Sequence, residues 1–177
     1  VAYELFVHPN VAASLFKTLV DMGVTPCGLA ARDSLRTEAG LPLYGHELEG
    51  PLGMTPGHAG FAGYVKTWKP FFIGKTAFIQ SEDKRDSVLA RFRVDTKGLR
   101  SPNQGDPIVD SRGRVIGQVT SCAVDTEGYQ VGLALVKDKH AKVGDTFLIY
   151  ANVRGKDGAK ALGEAKIGDR VSAPQTA

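Results

Sequence analysis

Residues Cys27–Gly45 read CGLAARDSLRTEAGLPLYG, and the fold is read outward from this stretch. The pattern predicts a helix from about Leu29 to Ala39, stopped by Gly40 with Pro42 just beyond. Its charges do not satisfy one another. Arg36 lies three residues after Asp33 and can pair with it, whereas Arg32 has Leu35 and Arg36 on its own face. Like charges four apart cost a few tenths of a kcal/mol in an isolated helix. Glu38 has no basic neighbour three or four residues before it. Arg32 is therefore expected to look outward for a carboxylate, a carbonyl or a ligand oxygen. The plainer alternative is a solvated arginine, or one paired across a domain interface.

The length allows a real core, as one large domain or two small ones. With 42% hydrophobic and 23% charged residues, the composition is that of an ordinary globular protein. No run of 18 apolar residues occurs, so no membrane span is expected. No signal-peptide or basic transit pattern is evident. Val1 opens directly on a strand pattern, which suggests a cut or processed chain. Cys27 and Cys122 stand far apart and make no disulfide framework, so a reducing cytoplasm is the expected setting. A net charge of +3, dispersed along the chain, does not argue for nucleic acid.

Val1, Tyr3, Leu5 and Val7 alternate with Ala2, Glu4 and Phe6, the period of a strand. Glu4 then lies between two apolar residues, where a half-buried carboxylate needs donors; the alternative is an edge-strand glutamate in water. Asn10 is the expected N-cap of a helix with Val11, Leu15, Leu19 and Met22 on one stripe and Gly23 at its end. His46–Gly63 is a long glycine- and proline-rich loop whose spacing is not a dinucleotide fingerprint, and it is read as a cleft wall. Tyr64–Trp68 reads as a strand and Gly74–Gln80 as a short helix. The charged run Ser81–Asp86 is taken as a linker, dividing residues 1–84 from residues 85–177.

Beyond it the pattern becomes alternation broken by turns. Strands are expected at Val88–Val94, Ile108–Asp110, Val115–Val124, Tyr129–Val136, Thr146–Asn152 and Arg170–Ser172. The fold class is α+β: a partial layer of helices on a sheet, followed by a small antiparallel β-barrel.

Self-contained catalysis finds little support. His8, His46, His58 and His140 lack metal-ligand spacing, and no nucleophile elbow, P-loop or HExxH motif occurs. No catalytic residue and no metal ligand is assigned. His58 is a candidate proton donor in its loop, against the plainer reading of a solvated histidine, and Cys122 reads as a buried structural thiol. What remains is a set suited to polar recognition: Glu4, Arg32 and Tyr44, with His46 and Arg100 as weaker members. A carboxylate is acceptor-only and takes two parallel N–H donors.

Residues 28–48, GLAARDSLRTEAGLPLYGHEL, resemble the signature helix and turn of the glycine cleavage T-protein (aminomethyltransferase) family. AYELFV at residues 2–7 and FFIGKTAFI at residues 71–79 resemble two further pieces of that family. The resemblance covers nearly all of the chain but only the later part of the family's fold. It implies that residues 1–84 are part of a folate-binding domain and that tetrahydrofolate is bound, with Glu4 holding the pterin. It places Arg32 in the same site and Arg100 at the start of the barrel. It also implies a lipoylated, H-protein-like carrier as partner, methylene transfer with release of ammonia, and an inactive fragment, since the family's catalytic aspartate belongs to the earlier half.

The departures bear on the donor. His58 in TPGHAG (residues 55–60) stands where the family has glutamate, Gly63 where many members have Trp, and Arg100 is farther from Pro107 than usual. A folate-dependent demethylase of the same family is therefore the first alternative. A non-enzymatic module is the second, its basic residues Lys137, Lys139, Lys142, Arg154, Lys156, Lys160 and Lys166 meeting a protein or RNA. Interleaved acids and few aromatics argue against RNA.

Overall fold

The structure, a computed structural model, describes residues 3–48 and 52–151. It divides into two compact units, Val1–Arg32 and Asp33–Ala177. The expected strand Arg170–Ser172 and the basic residues from Arg154 onward lie outside the described residues.

In the first unit, residues 3–8 carry no regular structure, which corrects the expected opening strand. Alternation supplies the two faces of a strand, but its N–H and C=O groups need a neighbour to form a ladder. Helix α1 spans Pro9–Asp21. Its N-cap is His8 rather than the expected Asn10: the His8 ring Nδ1 accepts from the Asn10 amide at 3.3 Å, and Pro9 occupies the first helical turn, where a missing N–H costs nothing. Gly23 follows its end, as the pattern predicts. Among the described residues of this unit none is buried.

Helix α2 covers Leu29–Glu38, within one residue of expectation. Gly40 closes it with φ +73°, and a Cβ there would meet Arg91 Nε at 1.9 Å. Both the backbone conformation and the crossing side chain require glycine. The Leu41 amide reaches back to the Arg36 carbonyl at 2.7 Å, and residues 41–48 form a tight turn in which Tyr44 bridges Leu48.

Tyr64–Trp68 is not a strand. Ala62–Tyr64 is a short 3-10 turn, held by the Tyr64 and Val65 amides on carbonyls three residues back and by edge contact of Phe61 with Tyr64 at 5.7 Å. Helix α3 runs Lys75–Lys84, beyond the expected Gln80, so most of the charged run is helix rather than linker. Its charges pair locally, Arg85 with Glu82 at 3.3 Å, and the Ser81 hydroxyl bonds the Phe78 carbonyl. A charged face on a helix is compatible with solvent and needs no break.

Five strands follow among the described residues: β1 Ser87–Arg93, β2 Pro107–Val109, β3 Val115–Val124, β4 Gln130–Lys137 and β5 Leu148–Ile149. They form one antiparallel sheet in the order β1-β4-β3-β2-β5. The sheet is open among these residues, with β1 and β5 as edges, so the expected closure into a barrel is not observed there.

The core lies on this sheet. Ile108, Ile116, Val119, Ala134 and Val136 are buried together, with Phe92, Cys122 and Phe147 packed against them. A register shift between Val119 and Ser121 makes Thr120 an extra residue in β3, a bulge that re-aims the side chains after it. Ser121 turns to polar partners while Cys122 packs on the core.

Candidate functional site

The turn after α2 is fastened to the sheet by a buried polar cluster. Arg36, 8% exposed, points inward from the last turn of α2. Its Nη1 donates to Glu47 Oε2 at 3.0 Å, its Nη2 to Ser121 Oγ at 2.7 Å and its Nε to Asp33 Oδ1 at 2.7 Å. Glu47, fully buried, accepts in addition from the Leu43 amide at 2.8 Å and from the Ser121 hydroxyl. Burial pushes the Glu47 carboxyl upward, but the Ser121 hydroxyl, the Leu43 amide and the Arg36 charge outweigh it and hold it below the ordinary carboxylate range. The Thr120 hydroxyl lies buried within electrostatic reach of this carboxylate but outside hydrogen-bond geometry.

The cluster bears on the sequence reading of the two arginines. Arg36 is committed to Asp33, Glu47 and Ser121, so the neighbouring Arg32 is the cation that α2 leaves exposed. Sequence reasoning found the Asp33 partner of Arg36 and missed Glu47 and Ser121. The available signal was a carboxylate at Glu47 between His46 and Leu48 in a turn otherwise rich in apolar residues.

Glu4 and Arg32 both belong to the first unit. Both are exposed, and neither side chain makes a hydrogen bond or ion pair among the described residues. Tyr44 and Arg100 belong to the second unit and are also exposed, Tyr44 at 70%. His46, beside Tyr44 on the clamped turn, is half-buried. Glu4 thus presents acceptor oxygens on an exposed side chain, a group suited to take N–H donors from a ligand.

A second polar constellation forms at His58. Its Nδ1 accepts from the Thr55 amide at 3.1 Å, with Thr55 Oγ1 2.9 Å away. The His58 ring thus closes the Thr55–His58 turn by accepting from the Thr55 amide. The ring is neutral and carries its proton on Nε2. Burial lowers its pKa below the ordinary histidine value, and the Arg85 charge lowers it further. The Thr55 hydroxyl also reaches Glu82 Oε1 at 3.4 Å, and the His58 carbonyl accepts from the Leu89 amide of β1 at 2.7 Å. Gly57 lets this loop meet α3: a Cβ there would sit 1.7 Å from Glu82 Oε1. His58 therefore binds the loop together, and its Nδ1 is occupied.

Elsewhere, burial pushes the Cys122 thiol to about 11, which leaves it unreactive. Among the described residues no group of three or more His, Cys, Asp or Glu side chains is placed to hold a metal ion. Among the described residues no helix is long and apolar enough to cross a membrane.

Comparison with known proteins gives the context of these residues. Residues 1–69 match the family model of the GCVT N-terminal domain. An aminomethyltransferase of Saccharopolyspora erythraea is 38% identical over 160 residues, covering 86% of this chain and 42% of the relative. One from Nostoc is 38% identical over 157 residues, covering 87% and 40%. The crystal structure of glycine cleavage system aminomethyltransferase T from Bartonella henselae superposes with a TM-score of 0.69 at 30% identity, over 83% of this chain and 41% of that one. The chain thus spans about two-fifths of the length of these relatives. On these matches the chain belongs to the glycine cleavage T-protein family, of which it represents a C-terminal portion.

Proposed function

We propose that the chain contributes the later part of a tetrahydrofolate-dependent aminomethyltransferase of the glycine cleavage type. In this reading a methylene group passes from an aminomethyl-lipoyl carrier protein to tetrahydrofolate and ammonia is released. The observation that carries it is the division of labour on α2: Arg36 is consumed inward by Asp33, Glu47 and Ser121, while Arg32 stands exposed without a partner among the described residues. Glu4 is the acceptor for the paired N–H donors of a pterin, and Arg32 the donor to its oxygens. Tyr44 is presented by the clamped turn, and Arg100 serves the acidic tail of a folate. Holding the reactants in place and excluding water is the main contribution expected of such a site.

The carboxylate that the resemblance assigns to chemistry has no counterpart here, so the 177-residue chain is expected not to turn over by itself. An H-protein-like carrier is the proposed partner and the cytoplasm the proposed compartment. Titration calorimetry with tetrahydrofolate tests the reading on this chain and on Glu4→Gln and Arg32→Ala. Each variant should lose about 1.5–3 kcal/mol, roughly ten- to 150-fold in affinity. Equal affinity in all three proteins, or no binding by a chain whose sheet is folded, would overturn the assignment.

A demethylase of the same family is the second reading. It is favoured by the neutral His58 ring where the resemblance places a glutamate. Ammonia release by the whole protein from an aminomethyl-loaded carrier separates the two.

A further inference from the structure

Gln130 opens β4 and is buried, and a buried carboxamide needs partners for both of its ends. Those partners tell the ends apart. One end lies 2.6 Å from the Leu99 carbonyl oxygen. A carbonyl oxygen only accepts, so the group facing it is Nε2. The other end, Oε1, lies 3.3 Å from Cys122 Sγ. Burial raises that thiol to about 11, so at neutral pH the sulfur keeps its proton and can donate. The alternative acceptor, the Ala123 carbonyl, is farther away at 3.9 Å. The hydrogen bonds therefore run one way, from the Cys122 S–H through the Gln130 amide to Leu99.

One end of this relay is fixed and the other is not. Cys122 packs against the core of the sheet. Leu99 belongs to residues 94–106, between β1 and β2, which form neither helix nor strand. That segment is tied down at separate points. The Lys97 ammonium lies over the Tyr129 ring at 4.5 Å, and the Gly105 amide donates to the Val119 carbonyl at 2.8 Å. Between these points Gln130 grips Leu99, and the next residue is Arg100.

We infer that Gln130 is a positioning residue for Arg100, with Cys122 orienting its amide, so that the arginine meets the acidic tail of a folate from a fixed backbone. This rests on the proposed function for the role of Arg100 and deepens it. A loop that must be ordered when its ligand arrives loses affinity for that ligand. Gln130 holds the Leu99 carbonyl in place beforehand.

Two ligands separate tail recognition from ring recognition: tetrahydrofolate, and tetrahydropteroate, which lacks the glutamate. In calorimetry on the 177-residue chain, Arg100→Ala should weaken tetrahydrofolate by about tenfold or more and leave tetrahydropteroate unchanged. Gln130→Leu should show the same selective loss, about fivefold or more, and the double variant should bind no more weakly than Arg100→Ala. Cys122→Ser keeps a donor for Oε1 and should retain the affinity, whereas Cys122→Val removes it and should weaken tetrahydrofolate roughly two- to tenfold. Trypsin cleavage after Arg100 in the native chain reads the anchor without folate, and should quicken in Gln130→Leu and Cys122→Val. A merely structural role would weaken both ligands alike. That result, additivity of Gln130→Leu with Arg100→Ala, or cleavage no faster than in the unaltered chain would overturn the inference. Where Gln130→Leu does not fold, the Cys122 pair decides, and equal affinities of Cys122→Ser and Cys122→Val would overturn it. Tetrahydrofolate binding that Arg100→Ala weakens and Gln130→Leu leaves intact would sink this inference alone. No binding by the unaltered, folded chain would sink the functional reading as well.

Discussion

Replacing Glu47 by alanine tests the cluster that holds the Tyr44 turn against the sheet. Breaking a buried ion pair by removing one member typically costs about 3–5 kcal/mol, because the other charge is left uncompensated. Arg36 would keep Asp33 at 2.7 Å, a carboxylate that is half in water, which moves the expectation toward the lower end. The Leu43 amide and the Ser121 hydroxyl would each lose an acceptor, which adds to the loss. The balance is a destabilisation of about 3–4 kcal/mol. In urea, with a slope of about 1–3 kcal/mol per molar, the midpoint of the sheet's circular-dichroism transition should fall by on the order of 1–4 M. The companion variant Arg36→Met with Glu47→Leu removes both charges and should recover at least ~2 kcal/mol relative to additivity. A loss below about 1 kcal/mol in Glu47→Ala, or strict additivity in the cycle, would refute the reasoning.

Gly40→Ala should destabilise by more than about 1 kcal/mol, since φ +73° and the Arg91 contact both oppose a Cβ; repeating it with Arg91→Ala should restore only the steric part, read by thermal unfolding. The folded-state pKa of His58 lies below its unfolded value near 6.5. Its contribution to stability is thus complete above that pH and is lost as pH falls through the folded value. Unfolding titrations between pH 7.5 and 5 should show that slope, and His58→Gln should flatten it. With a thiol-specific reagent at neutral pH, exposed Cys27 should be labelled in the folded chain and Cys122 only after denaturation. Mass spectrometry of the two peptides gives the answer directly.

Local patterns carried the sheet and lost what depends on distant partners. Strand β3 was legible residue for residue at Val115–Val124, because alternation and flanking turns are local. Helix α2 was equally plain from its glycine stop. Residues 3–8 show the limit: the same alternation predicted a strand, but a strand exists only where another lies beside it. The run Ser81–Lys84 misled in the opposite direction, since charges that suit a linker suit an exposed helical face as well. For the site, helix spacing gave the pairing of Arg36 with Asp33, whereas Ser121 lies 85 residues away in sequence. No periodicity links such positions. The outward disposition of Arg32 was foreseen from its unmatched charge, though not the reason that Arg36 is engaged elsewhere.

The extra residue in β3 is surplus to the count of its partner strand, which sets Ala134 across from Val119 and Leu133 across from Ser121. Excising Thr120 would therefore leave every residue from Ser121 to Val124 with its present cross-strand neighbour and on its present side of the sheet. What would go is the local kink, so a shortened β3 should still fold while the Ser121 hydroxyl meets Arg36 and Glu47 from a straighter strand.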